Sequence, residues 1–377
     1  MKEEDSFSAV CYTNLDPLLR NAISRHVFPG AAVGIAVLSG LRRRSFTACW
    51  GNAALVPQPR QLANTTLFDL ASLTKPLATV LALLCLIQEK KITLDEPLAS
   101  LLQRDVPAEK KKITLRHLLN HCSGFAAHRP FYLQLVPHAP QARKNILLDL
   151  ILADELAYPV GGRALYSDLG FIVLGQVVEI QSGVSLDVHV REKVMAPLGL
   201  ADALVFNPAE KEKKDFAATE LCPWRHRVLS GEVHDDNSWA VGGVSGQAGL
   251  FGDIDSVLSL VSFLLAAWQG KAEHPNFSRT LLQEFLRRQE MVADSSWALG
   301  FDTPSPVGSS AGRYISPESV GHLGFTGTSF WIDPGRELVM VLLTNRVHPS
   351  RANNLIREFR PLFHERVMEM LINLQKT

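Results

Sequence analysis

The chain has 377 residues, 46% hydrophobic and 20% charged, enough for a large buried core in two domains or in one with a sizeable insertion. Thirty-eight basic residues balance thirty-eight acidic ones, which leaves no electrostatic footprint for nucleic acid or an anionic membrane. Five cysteines without C-x-x-C spacing read as reduced thiols, not as a disulfide framework.

Met1 to Asp5 is acidic and lacks the apolar core of a signal peptide. No apolar run looks long enough to span a bilayer, so the chain as written reads as cytoplasmic, or as exported if its start has been trimmed. Leu15 to Arg25 predicts a short amphipathic helix. Phe28-Pro29-Gly30 turns into Ala31–Leu38, whose small and β-branched residues predict a central strand. Ser45 to Trp50 is its expected hairpin partner. The runs Arg42-Arg43-Arg44 and Lys110-Lys111-Lys112 read as solvated edges. Thr114 is a good N-cap for a helix that Gly124 would end. Helical patterns continue over Asn145–Glu155 and Leu169–Ser182, and Glu210 to Asp215 reads as exposed loop. The glycine-rich stretch Val241–Gly252 reads as a flexible connection before a helix starting near Asp253 or Asp255. Trp297–Phe301, Gly324–Asp333 and Leu338–Thr344 then read as strands, with Asp333-Pro334-Gly335-Arg336 as a tight turn. A final helix is expected over Ala352–Leu374. Strands at both ends with helices between predict an α+β fold. Its antiparallel sheet would come from about residues 1–75 and 250–377, with a mostly helical part over 76–249 and a site in the crevice between.

The candidate chemistry centres on Phe68 to Leu77. Leu77 to Ile87 is nearly unbroken hydrocarbon and predicts a buried helix; Pro76 belongs in its first turn. Ser72 then lies at the helix N-terminus, and Lys75, three residues on, shares its face. A hydroxyl beside an amine on a rigid helix is an activated nucleophile. Such a pair arises about once by chance in a chain of this length, so partners must decide. Tyr166-Ser167-Asp168 follows the Gly161-Gly162 turn, which places Tyr166 on a loop or helix start. His322-Leu323-Gly324 opens a strand near the end.

In this order the motifs resemble those of the serine β-lactamase and penicillin-binding protein superfamily: S-x-x-K, then Y-x-N or S-x-N, then K-T-G or H-x-G. Phe28–Val37, Ile113–Phe125, Val233–Phe251, Gly321–Pro334 and Leu342–Pro349 are also similar to its class C and low-molecular-weight peptidase branch. The similarity runs from about Leu15 to Leu374. It implies a serine hydrolase with a covalent acyl-enzyme, no cofactor and no metal. The substrate would be a small molecule or peptide with a scissile amide or ester: a D-alanyl peptide, a β-lactam or a small ester. Ser72 would attack, Lys75 and Tyr166 would handle its proton, and the N–H groups of Ser72 and Phe325 would bind the oxyanion. Asp168 stands where the family usually has Asn; a carboxylate there favours the Lys75 ammonium and shifts the base role to Tyr166. His322 and Leu323 replace the Lys and Thr that help recognise a carboxylate. With His322 only partly charged at neutral pH, preference should shift towards esters or less anionic amides, with Gly324 on the same strand and Asn345 or Arg346 as compensating binders.

Three other readings compete. His117 and His121, four apart with Cys122 adjacent, suggest a metal site if they share one helix, although the H-E-x-x-H pattern is missing. Gly243-Val244-Ser245-Gly246-Gln247 falls short of a nucleophile elbow. A β-lactam or muropeptide sensor that acylates without turnover would carry the same motifs as a hydrolase.

Overall fold

The computed structural model describes residues 2–38, 44–208 and 215–376. Its principal sheet has six strands in the order β3-β2-β1-β11-β10-β9, antiparallel at every pairing. These are β1 (Gly30–Val37), β2 (Arg44–Ala54), β3 (Arg60–Gln61), β9 (Val320–Leu323), β10 (Ser329–Asp333) and β11 (Leu338–Thr344). Small pairings fill the rest: β4 (Phe68–Asp69) and β5 (Val205–Phe206) flank β8 (Leu250–Gly252), and β6 (Leu221–Cys222) pairs with β7 (Arg227–Val228). The chain is α+β, as its residue pattern predicts.

Every residue of β1 is buried, because both faces of the sheet are covered. Ala31, Val33, Ile35 and Val37 face a layer built from α1 (Lys2–Ser24) and the C-terminal helix α12 (Ile356–Lys376), including Leu15, Leu19, Phe359 and Phe363. Ala32 and Ala36 face the opposite layer, with Ile254, Leu258 and Val261. That alternation is the two-residue side-chain period of a strand; covering both faces erases it from the hydropathy pattern.

The helical part comprises α2 (Leu81–Gln88), α3 (Leu98–Leu101), α4 (Leu115–Leu119), α5 (Tyr132–Leu135), α6 (Pro140–Ala153), α7 (Asp168–Ser182), α8 (Leu186–His189) and α9 (Asp236–Ala240). After it come α10 (Ile254–Trp268) and α11 (Arg279–Leu286). Asp253 caps α10, its carboxylate accepting from Ser256 N–H at 2.8 Å. The Ser72 segment is one continuous run from Ala71 to Gln88 that passes from a 3₁₀ turn through a π segment into α2. This run is long and apolar enough to cross a membrane, and 83% of it lies buried inside the fold.

Several expectations are corrected. The N-terminal helix spans 23 residues, not eleven. Trp297–Phe301 is not a strand; it forms only isolated bridges, Trp297 with Asp302 and Asp302 with Gly321. The expected strand over Gly324–Asp333 is broken: His322 sits inside β9, and Gly324 to Thr328 form the loop to β10. The glycine-rich stretch is packed wall. A Cβ on Gly246 would meet Phe171 O at 2.0 Å and Gly175 N at 2.8 Å, so glycine there permits close contact with α7. The Glu210–Asp215 loop lies outside the described residues up to position 214, as do Arg42 and Arg43.

Candidate active site

The backbone leading into Ser72 is held by buried polar side chains. The Asp69 carboxylate accepts Ala71 N–H at 2.8 Å and His234 N–H at 2.7 Å. Thr326 Oγ1 donates to Asp69 O at 2.8 Å, and Thr328 Oγ1 donates to Leu70 O at 3.1 Å. Thr74 Oγ1 donates to Ala71 O and accepts from Leu250 N–H. These bonds hold Ala71 at φ +49°, a left-handed conformation that costs a non-glycine residue free energy and is kept only where the surroundings dictate it. Ser72 follows directly, half-buried at the floor of a cavity of about 610 Å³.

Lys75 is fully buried. Its Nζ donates to Ser72 Oγ at 3.0 Å, Asp168 Oδ1 at 2.7 Å and Gln247 O at 3.1 Å. An ammonium has three N–H donors, and here each has an oxygen. Burial works against the charge, but the Asp168 carboxylate, followed by Tyr166, outweighs it and raises the Lys75 pKa above its ordinary value. Lys75 therefore rests as an ammonium with no lone pair to offer. Tyr166 lies two residues before α7, whose N-cap is Ser167, accepting Gly170 N–H at 3.1 Å. Burial pushes the Tyr166 pKa up to about 12, with Lys75 opposing and Asp168 adding. The Lys75 Nζ also sits 4.9 Å from the Tyr166 ring centroid.

Around Tyr166 stand rings that the sequence did not assign to this site. Trp297 stacks on it at 5.6 Å and His121 packs at 4.8 Å. Nδ1 of His121 accepts Ser167 N–H at 3.1 Å, and burial followed by Lys75 keeps this imidazole neutral. His121 is thus part of the support behind Tyr166. It does not share a helix with His117, because α4 ends at Leu119; the His117 ring caps that helix by accepting Thr114 N–H at 3.2 Å. The shared helix face that the metal reading needs does not form.

His322 and Gly324 both line the cavity. The expected partial charge on His322 is corrected: burial, then Lys75, pulls its pKa down to about 3. Its Nδ1–H donates to Leu323 O at 2.8 Å, which leaves Nε2 as a bare acceptor, buried and without a partner. Gly324 has a steric reason to be glycine, since a Cβ would meet Thr328 Oγ1 at 1.9 Å and Leu70 O at 2.9 Å. Phe325 is half exposed on the rim and stacks on His234 at 5.5 Å. Asn345 is not in the cavity wall. Its Oδ1 accepts Gly30 N–H at 3.0 Å and its Nδ2 donates to the carbonyls of Asn52 and Ala53, so it ties β1 to β2. Arg346 does line the cavity, but its Nε and Nη1 donate to backbone oxygens of Phe325, Arg351 and Asn353.

The model of the β-lactamase family matches residues 15–361. A Salmonella heidelberg protein provisionally named D-alanyl-D-alanine carboxypeptidase is 32% identical over 333 residues, 81% of this chain and 76% of its own length. Among solved structures, EstCE1, described as a hydrolase with promiscuous acyltransferase activity, superposes with a TM-score of 0.70 at 22% identity, covering 94% of this chain and 99% of its own. An octameric penicillin-binding protein homologue from Pyrococcus abyssi gives 0.68 at 18% identity, over 93% and 76%. At those identities the two structures speak for the fold, while the family match and the curated relative carry the assignment. The chain belongs to the β-lactamase family and is a serine hydrolase.

Proposed function

We propose that the chain hydrolyses an amide or ester through a Ser72 acyl-enzyme, with Lys75 and Tyr166 managing the proton and the N–H groups of Ser72 and Phe325 holding the oxyanion. The observation that carries this reading is the Lys75 ammonium 3.0 Å from Ser72 Oγ and 4.9 Å from the Tyr166 ring centroid, with Ser72 and Tyr166 both lining one open cavity. At neutral pH Lys75 is charged and Tyr166 protonated, so neither is a free base at rest. Tyr166 then acts as a relay. Its own proton moves to the leaving nitrogen or oxygen as its oxygen takes the Ser72 proton, so it ends the step protonated as it began; the Oγ–carbon bond forms, the scissile bond breaks, and Lys75 stabilises the transient phenolate character. Water returns the acyl group by the reverse route. General acid–base help of this kind contributes about 10²- to 10⁴-fold.

The substrate class follows the family: a D-alanyl peptide, a β-lactam or a small ester. Neutral His322 and apolar Leu323 support a strand that no longer offers a charge to a carboxylate. The test is a fluorophosphonate label and a p-nitrophenyl ester assay on wild type, Ser72→Ala and Tyr166→Phe. Labelling and turnover should vanish in Ser72→Ala, and kcat should fall by roughly 10²-fold or more in Tyr166→Phe with labelled serine retained. Undiminished turnover in Ser72→Ala would overturn the reading. Comparing the ester with a chromogenic cephalosporin ranks the substrates, and an acyl mass shift persisting for hours would identify a sensor instead of a hydrolase.

A further inference from the structure

The Gly324–Thr328 loop is held by its carbonyl oxygens. Gly324 O accepts Gly327 N–H at 3.1 Å, Thr326 O accepts Arg346 N–H at 3.0 Å, and Phe325 O accepts from Nε of Arg346 at 2.8 Å. Nη2 of Arg360, early in α12, donates to Gly324 O at 2.6 Å and to Thr328 O at 2.9 Å. Gly324 N–H closes the loop onto the same Thr328 O at 2.7 Å, so one guanidinium clamps both ends. The Phe325 N–H, by contrast, makes no hydrogen bond among the described residues. Gly324 O and this N–H belong to one peptide unit, and that unit is trans. A trans peptide is planar and sets its C=O and N–H on opposite sides, so whatever grips the oxygen also aims the N–H.

Fold stability does not account for a charge at this place. Arg360 is only 7% exposed, and its Nε is buried with no hydrogen-bond partner. Burial, then Arg346 and Arg357, works against the cation, and no carboxylate offsets them. Asp235 and Asp302 line the same cavity, yet neither is an ion-pair partner of Arg360. A buried cation without a counter-ion is destabilising. What the charge adds is polarisation. A hydrogen bond from an ionised donor is about twice as strong as a neutral one, and where the local dielectric is low it strengthens the next bond in line. For Gly324 O, the next bond in line is the one its own peptide N–H can give.

We propose that Arg360 is a positioning residue of the reaction: its guanidinium fixes and polarises the Gly324–Phe325 peptide so that the Phe325 N–H meets the oxyanion. The proposal rests on Ser72 being the nucleophile and the Phe325 N–H a donor to the oxyanion formed there. α12 then takes part in the chemistry through the backbone of a neighbouring loop, with no contact between Arg360 and the substrate. Arg346, whose guanidinium lies 4.5 Å over the Phe325 ring while its Nε holds Phe325 O, secures the next peptide in the same loop.

The experiment measures p-nitrophenyl acetate hydrolysis per fluorophosphonate-labelled serine, and the Ki of phenylboronic acid, in wild type, Arg360→Met and Arg360→Lys at neutral pH. Both probes are uncharged in solution, so an arginine that only recognised a substrate anion would leave them unmoved. The boronate formed on Ser72 sets a tetrahedral oxygen where the oxyanion would lie. Arg360→Met should lower kcat by roughly tenfold or more, short of the 10²–10³ lost when an oxyanion donor is removed outright. KM should stay nearly constant, because the same N–H serves acylation and deacylation, and boronate affinity should fall by a similar factor. Arg360→Lys, which keeps a charge and a donor but not the fork, should lie between. If Arg360→Met does not fold, Arg360→Gln takes its place with the same expectation. A kcat and a Ki within about twofold of wild type in a folded neutral variant, or a KM that rises at unchanged kcat, would overturn the proposal. Ser72→Ala run in parallel separates the two ideas: turnover retained there defeats the nucleophile, whereas turnover lost there with unaffected Arg360 variants defeats only the positioning role.

Discussion

Replacing Asp168 with Asn tests how the buried lysine is kept charged. Lys75 is 0% and Asp168 22% exposed, with 2.7 Å between Nζ and Oδ1. Asparagine keeps the shape and the accepting oxygen but removes the charge. Removing one partner of a buried pair costs about 3–5 kcal/mol while the other stays ionised, so the loss at pH 7 should be of that order. The pH dependence supplies the sign. In the wild type the folded Lys75 pKa is raised above 10.5, so its contribution is complete below that value and is lost only as pH climbs through the higher folded value. In D168N, burial acts without its main counterweight and the folded pKa drops below 10.5. The unfolded state then binds the extra proton, and stability should rise with pH from neutrality towards about 10. Urea unfolding at a series of pH values between 6 and 10 reads this directly. Activity gives a second readout: with a neutral lysine available, Tyr166→Phe should cost less in the D168N background. A D168N protein within about 0.5 kcal/mol of wild type at pH 7, with a parallel pH curve, would refute the ion pair as the source of the lysine's charge.

Gly324→Ala should lower kcat more than KM and destabilise the fold, because the added methyl collides with Thr328 Oγ1 and the Leu70 carbonyl beside Ser72; kinetics and melting on the same preparation check both, and normal kinetics would show the loop to be slack. Glu220 is nearly buried, but hydrogen bonds from His234 and Arg351 overcome that burial and pull it from 4.5 down to about 2. Its stabilising contribution is therefore present above about 4.5 and fades as pH falls through 2; Glu220→Gln should lose on the order of 3 kcal/mol at pH 7 and little at pH 2, measured by denaturant unfolding.

Much of this was legible in the chain. The even burial of β1 followed from its apolar run, the Asp253 cap from a single acidic residue ahead of a hydrophobic stretch, and the turn at Asp333 from the Pro-Gly pair. Trp297–Phe301 misled because an apolar stretch suits a buried turn in the core as well as a strand. The Ser72 and Lys75 spacing was visible, but the third oxygen on Lys75 is the backbone carbonyl of Gln247, which no side-chain pattern announces. Asn345 looked like a binder because its amide can bind; only tertiary structure shows its oxygen and nitrogen occupied by neighbouring strands. The charge on His322 was misjudged for the same reason, since burial is a property of the surroundings and not of the residue.

These pKa directions together constrain the pH profile of the reaction. His322 lies near 3 and His121 well below the ordinary imidazole value, while Lys75 lies above 10.5 and Tyr166 near 12. No group bonded to Ser72 Oγ titrates between pH 5 and 9. In the cavity wall, burial raises Asp302 to about 6, with Ser296 Oγ donating to it at 2.7 Å. Above that pH it places a negative charge in the wall of a cavity where an oxyanion must form, so kcat/KM for a neutral ester should step down modestly as pH rises through about 6. Asp302→Asn should remove the step. A sigmoidal rise centred near 7 that survives in Asp302→Asn would mean that an imidazole, not the lysine–tyrosine pair, takes the serine proton.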